Sequence, residues 1–417
     1  MSRAARFIAG TLAALAFTAA AGAAPVPQAG AFRATSCADC RQRNPAVAGS
    51  AAGFLVTWEG STATDHRGAV ARFFTGTGAP KAADFLVNKE LAPDQYDADV
   101  AADPQGNYVV VWSAVADGNS EILAQRFKST GETLGSAVKV NTDAAGTPSI
   151  PFDFGPAVAT TKDGGFVVVW MSLLPATSTF AGTSPGVYAR RFSNAGAPLS
   201  AQVKISTGLV GGDRPDVCVD TSGRPVAVWT SVDGFRPFEP NKKGVSARRL
   251  SAAGVPQGRE IVVARPLAPS AEAAVSCGKG NTFVVVWHTD QAPAAAQNDI
   301  VGLRFTRTAR PAGAPFRVNS NTTGEQKAPA ISHDATGAFV VVWQSGSGQQ
   351  GIYGRRFLAT AAADGADFEI LRETVDPTQR SQPSIAHLTP AGNFVVVWQN
   401  GNLGTYGRRF SLSRRRR

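Results

Sequence analysis

The stretch Gly165-Phe166-Val167-Val168-Val169-Trp170 decides the fold, because variants of it recur seven times along the 417 residues. Each copy closes on a tryptophan, at Trp58, Trp112, Trp170, Trp229, Trp287, Trp343 and Trp398, with spacings of 54, 58, 59, 58, 56 and 55 residues. A near-constant period of this length marks a repeat architecture.

Three further apolar pieces accompany this strand. In the third repeat Pro156-Ala157-Val158-Ala159 precedes it, while Val187-Tyr188-Ala189-Arg190-Arg191-Phe192 and Val203-Lys204-Ile205 follow. Short β-branched runs separated by Gly, Asp, Asn and Pro turns read as strands, and nothing of helical period lies between them. The Trp-bearing strand is apolar at successive positions, so both its faces must be covered. A radial stack of four-stranded antiparallel sheets covers them, each sheet lying between two neighbours. The predicted fold is all-β: a closed seven-bladed β-propeller over residues 24–413, with repeats near 41–88, 95–141, 152–206, 213–263, 271–319, 327–371 and 381–413.

The two ends predict how the ring shuts. The seventh repeat stops after Tyr406-Gly407-Arg408-Arg409-Phe410 and lacks an outer strand. Near the N-terminus, Gly30-Ala31-Phe32-Arg33-Ala34-Thr35 echoes Gly313-Ala314-Pro315-Phe316-Arg317-Val318-Asn319 of the fifth repeat. Phe32 to Thr35 is therefore expected to complete the last blade, leaving no long open edge. An open solenoid is the competing arrangement, and it does not explain why a deficit at one end matches a surplus at the other.

Outside the ring, Arg3 and Arg6 precede an apolar run from Phe7 to Ala20 and the small residues Ala21-Gly22-Ala23. That is the layout of a cleaved signal peptide over residues 1–23, with a signal anchor as the alternative. The expectation is an extracytoplasmic protein, periplasmic, surface-bound or secreted, without a membrane span in the mature chain. Lys and Arg outnumber Asp and Glu by 41 to 31, and four of the cations form the basic tail Arg414 to Arg417. Clustered cations can hold a polyanion, but such a run is more often a solvated tail, so nucleic acid is not the expected partner.

The motifs G-x-F-V-V-V-W, I-Y-x-R-R-F and F-x-V-N resemble repeats of large secreted bacterial proteins, often of unassigned function. The resemblance covers Phe32 to Phe410 and implies a propeller and export. It implies no catalytic residues. An arginine recurs in the third strand of all seven repeats, at Arg72, Arg126, Arg191, Arg249, Arg304, Arg356 and Arg409, before an aromatic in six of them and before Leu250 in the fourth. Sevenfold recurrence points to packing on an aromatic face more than to a ring of ligand sites.

Chemistry is sparse. Gly182-Thr183-Ser184-Pro185-Gly186 matches the nucleophile-elbow formula but has no helix after it, as that motif requires, so it reads as chance. His66, His288, His333 and His387 lack metal-ligand spacing, and neither a metal nor a cofactor is expected. His288 and Asp290 could place a base and an acid at a strand end. Cys37 and Cys40 are read as a local bridge, the zinc and redox readings being weaker. Cys218 lies one residue past Val217 and Cys277 two past Val275, at equivalent places in the fourth and fifth repeats. Their side chains then face opposite ways, toward each other across adjacent blades, so a Cys218–Cys277 disulfide is predicted, with two buried free thiols as the alternative.

Function should sit where the repeats differ. From the Trp to the recurrent Arg the chain takes 14, 14, 21, 20, 17, 13 and 11 residues, which gives repeats three to five the long loops. Phe152, Asp153 and Phe154 in the preceding connection, with Phe180, Phe235, Arg236, Phe238 and Glu239 in the loops, form the candidate ligand site. Exposed aromatics beside a few charges suit a glycan or a protein, unless the rings merely pin their own loops. The favoured reading is a monomeric, non-catalytic binding propeller facing a glycan, envelope component or protein. Its alternative is an exported hydrolase or lyase with an active site in the funnel on the long-loop face. Two or three carboxylates converging there would favour the enzyme.

Overall fold

The computed structural model describes residues 24–37, 42–62, 65–87, 94–116, 119–142, 152–173, 186–207, 209–210, 215–232, 243–267, 272–290, 298–346, 350–372, 382–388, 392–401 and 404–412. The expected signal peptide over 1–23 and the basic tail over 414–417 lie outside these residues. Seven antiparallel sheets are present. In the third blade the inner strand is Phe152–Thr160, the second Phe166–Leu173, the third Gly186–Phe192 and the outer Val203–Lys204. Among the described residues no helix is long and apolar enough to cross a membrane.

The continuous valine run of the second strand is explained by its neighbours. Val110 packs with Ala46, Leu55 and Phe73 of the first blade, whereas Val109 and Val111 pack with Val158, Phe166 and Trp170 of the third. Successive residues thus serve opposite faces, each face sealed by another sheet, which removes the need for alternation. Trp58, Trp112, Trp170, Trp229, Trp343 and Trp398 are fully buried between blades.

The seventh blade takes its outer edge from the N-terminus. Phe32 pairs with Gly407 and Arg33 with Tyr406, and Val26–Pro27 adds a second short pairing with Ser411 and Phe410. A Cβ on Gly407 would lie 2.5 Å from Phe32 Cζ. The same close approach occurs between Gly302 and Phe316 in the fifth blade, so the sequence echo between Phe32 and Phe316 reflects one aromatic cap resting on one glycine. Inner strands of the last and first blades touch, with the Val47 N–H donating to Ser384 Oγ at 3.2 Å.

The recurrent arginines divide into two columns. Arg72, Arg190, Arg355 and Arg408 lie over Phe74, Phe192, Phe357 and Phe410 of their own blades, while Arg249 lies over Phe283 of the next. Aligning the seven by the aromatic alone merges these columns: Arg72 is equivalent to Arg190, not to Arg191, because Phe74 and Phe192 occupy the same register place opposite Phe54 and Phe166. First-column arginines also reach back, as Arg190 Nη1 donates to Val140 O at 2.8 Å and Arg355 Nη1 to Val318 O at 3.0 Å. The arginines therefore join blade to blade.

Candidate functional site

The inner strands converge on the axis, and their local geometry is set by a bulge. In the first three blades the register with the second strand shifts between Arg43 and Ala46, between Tyr96 and Asp99, and between Phe154 and Ala157. The bulged residues Asn44, Asp97 and Gly155 have φ of 52°, 61° and 59°. Left-handed backbone of this kind is tolerated best by Gly, Asn and Asp, which accounts for the residue types found there.

Just past the bulge, one position of each blade pairs with the residue before the conserved tryptophan. It is alanine in four blades, at Ala46, Ala157, Ala274 and Ala330. Ser384 occupies it in the seventh, and Asp99 and Asp216 in the second and fourth. Seven strands crowd together here, so small residues are the default and two carboxylates are a departure.

This position forms the wall of an axial cavity of about 460 Å³ to which all seven blades contribute. Asp97, Asp99, Asp216 and Glu272 line it together with Asn44, Gln382 and Ser384. The cavity lies toward the end of the inner strands where the second strands run out into the long loops, since Gln42 pairs with Gly60 and Tyr96 with Ser113. Four acidic residues therefore line the cavity on the side of the long loops. Among the described residues no group of three or more His, Cys, Asp or Glu has a metal-holding arrangement.

The two aspartates are held by the next blade. Asp99 Oδ2 accepts the Val158 N–H at 2.9 Å, and Asp216 Oδ2 accepts the Val275 N–H at 2.8 Å. Asp216 Oδ1 also accepts the Val217 N–H at 2.7 Å. Asp216 is only half-buried by exposure, yet its carboxyl has lost most of its solvent. That desolvation, reinforced by the charge of Asp99 and opposed by the two N–H donors, pushes it up to about 7. A carboxyl poised near neutrality beside a second carboxylate can give or take a proton at physiological pH.

Of the residues expected to bind ligand, five lie among the described residues. Phe152, Asp153 and Phe154 belong to the inner strand of the third blade and pair with Leu173, Ser172 and Met171. Phe180, Phe235, Arg236, Phe238 and Glu239 lie outside the described residues. His288 is buried, with 3% exposure, and Asp290 on the same strand pairs with Asn298. Cys218 and Cys277 form the expected disulfide, with Cα atoms 5.5 Å apart. Cys37 is also disulfide-bonded, and Cys40 lies outside the described residues.

Asp99 and Asp216 escaped the sequence reading, although a signal exists. Pro45-Ala46, Pro156-Ala157 and Pro329-Ala330 set a pattern that Pro215-Asp216 breaks. Comparing loop lengths cannot reveal it, because the change is one residue inside a strand.

The chain matches no protein-family model and no curated protein sequence. Solved structures similar to it include a protein of unknown function from Dyadobacter fermentans, 12% identical, covering 94% of this chain and 99% of that one with a TM-score of 0.53. A Hadza microbial sialidase is 10% identical over 86% of this chain and 74% of that one, with a TM-score of 0.50. An alpha-L-arabinofuranosidase of Fusarium graminearum is 11% identical over 77% of this chain and 94% of that one, with a TM-score of 0.50. At such identities the likeness carries the fold alone. The expectation of a non-catalytic binder is nevertheless corrected. It rested on an absence of converging acids, whereas four line the cavity, and two of these three similar structures are named as a sialidase and an alpha-L-arabinofuranosidase.

Proposed function

We propose that this chain is an exported glycan-cleaving propeller, a glycoside hydrolase whose active site is the axial funnel. The observation that carries the reading is the pair Asp99 and Asp216, standing where four other blades have alanine, with the carboxyl of Asp216 raised to about 7. In glycoside hydrolysis one carboxylic acid protonates the leaving oxygen while an ionised partner activates water or stabilises the developing cation. Asp216 is assigned the first role and Asp99 the second. As the bond between the anomeric carbon and the bridging oxygen breaks, the Asp216 proton passes to that oxygen. Water then adds to the anomeric carbon and releases its proton to carboxylate. Asn44 and Gln382, also on the cavity wall, offer amides suited to sugar hydroxyls.

Export is supported by the signal-like start and by the Cys218–Cys277 bridge, which favours an oxidising compartment. Phe235 and Phe238 retain a place in this proposal as stacking surfaces for sugar rings. The segment that carries them joins strands whose paired ends, Val232 and Lys243, lie on the cavity side.

The test is reducing-end release from a panel of neutral, anionic and amino polysaccharides. Asp216→Asn is expected to lower kcat by about 10²- to 10⁴-fold, the usual worth of a positioned general acid. Activity of the native protein should fall as pH rises through about 7, since the donor must be protonated. Full activity in Asp216→Asn would remove the assignment, and products bearing the ultraviolet absorbance of an unsaturated uronide would make the reaction an elimination instead.

A further inference from the structure

The inference concerns what holds the proton donor, and it rests on reading the axial cavity as catalytic. In each of the first three blades the inner strand is nine residues long, as Gln42–Ser50, Asp94–Ala102 and Phe152–Thr160. In the fourth it is four residues, Asp216–Val219, and Asp216 is the first of them. The far end of the second strand, Pro225–Val232, pairs with the separate piece Leu209–Val210 instead. Asp216 thus stands at the end of a short strand, where ladder bonds are few and local opening is easiest.

Two residues further on the strand is tied covalently. Cys218 is bonded to Cys277 of the fifth blade, and Val275, two residues before Cys277, donates its N–H to Asp216 Oδ2. Disulfide and hydrogen bond are two rungs of one seam, equally spaced on both strands. The seam between the second and third blades carries the matching Val158 to Asp99 bond, but on nine-residue strands, and Thr160 Oγ1 donating to Ala102 O at 2.6 Å is enough to close it.

We propose that the Cys218–Cys277 disulfide is a positioning device for Asp216, keeping the Val275 N–H on its carboxylate and the carboxyl at the funnel wall. The bond ties a four-residue inner strand whose ladder is shorter than the nine-residue ladders of the first three blades.

Two readouts test it in a Cys218→Ser/Cys277→Ser variant shown by circular dichroism to be folded. One is the Asp216 carboxyl titration, followed by NMR with ¹³C-labelled aspartate and assigned through its loss in Asp216→Asn. The other is the pH profile of kcat/KM. With the N–H donor lost, the titration and the basic limb should both move to higher pH by about half a unit or more. Looser placement of the donor should lower kcat by about tenfold, with KM little changed. An unmoved titration, or one moved down by entry of water, overturns the proposal. Should the variant not fold, native protein reduced in place with a phosphine gives the same titration. If the native protein cleaves no glycan, the functional reading fails while the titration still decides the clamp.

Discussion

The seam between the fourth and fifth blades and the seam between the sixth and seventh join the same two positions with different chemistry. In the first, Cys218 and Cys277 share a covalent bond. In the second, Ser332 Oγ and His387 Nδ1 meet at 2.9 Å. Cys218 and Ser332 each lie two residues past their blade's place in the axial ring, at Asp216 and Ala330, whereas Cys277 and His387 lie three past Ala274 and Ser384. Between them, Ser276 Oγ accepts the His333 N–H at 3.2 Å. The fold supplies the proximity, and the side chains decide which condition opens each seam. One should yield to a reductant and the other to acid.

The largest expected effect is on the covalent seam. Removing a cross-link that spans 59 residues should cost about 4 kcal/mol, read by denaturant unfolding of the Cys218→Ser/Cys277→Ser variant. A loss below about 1 kcal/mol would mean that apolar packing between these blades already suffices.

Acid should act next, and on the other seam. Burial is the chief reason that the imidazole of His333 is pulled down to about 3 and that of His387 to about 4. The positive charges of His387 and Arg304 push the same way on His333, and Arg356 on His387, while Asp334 opposes them at both. The rings also pack on Phe339 and Phe394, at centroid distances of 5.0 and 5.8 Å. Both histidines are neutral when folded, so the unfolded chain takes up protons first. Their contribution is complete above about pH 6.5 and is lost as pH falls toward the folded values. At pH 5.5 the loss should be on the order of 1 kcal/mol for each. Melting temperatures across pH should show it in the native chain. The slope should flatten in His333→Gln/His387→Gln, and a slope that persisted there would place the acid sensitivity elsewhere.

These seams also show what was legible in the sequence. The disulfide could be read because parity along a strand is local, and counting from Val217 and Val275 puts the two cysteines on opposite faces. The outer strand at Phe32 could be read because its sequence repeats that around Phe316. The Ser332 and His387 contact could not, since serine and histidine at those places have no meaning until the blades are stacked. Asp216 was hidden for a related reason. Its departure from alanine is visible, but its raised protonation follows from lost solvent and from Asp99, which lies over a hundred residues away in the chain.

The smallest effect sharpens the comparison most. Ser332→Ala removes the one hydrogen bond to His387 Nδ1 that crosses this seam and leaves both rings on their phenylalanines. A neutral hydrogen bond contributes about 1 kcal/mol, so denaturant unfolding at pH 7.5 should register a loss of that order. The acid slope should survive, because it comes chiefly from burial of the imidazole and not from the serine. Were the slope to vanish with the hydroxyl, the serine would be what holds His387 neutral, and the seam would be a hydrogen-bonded switch instead of a buried one.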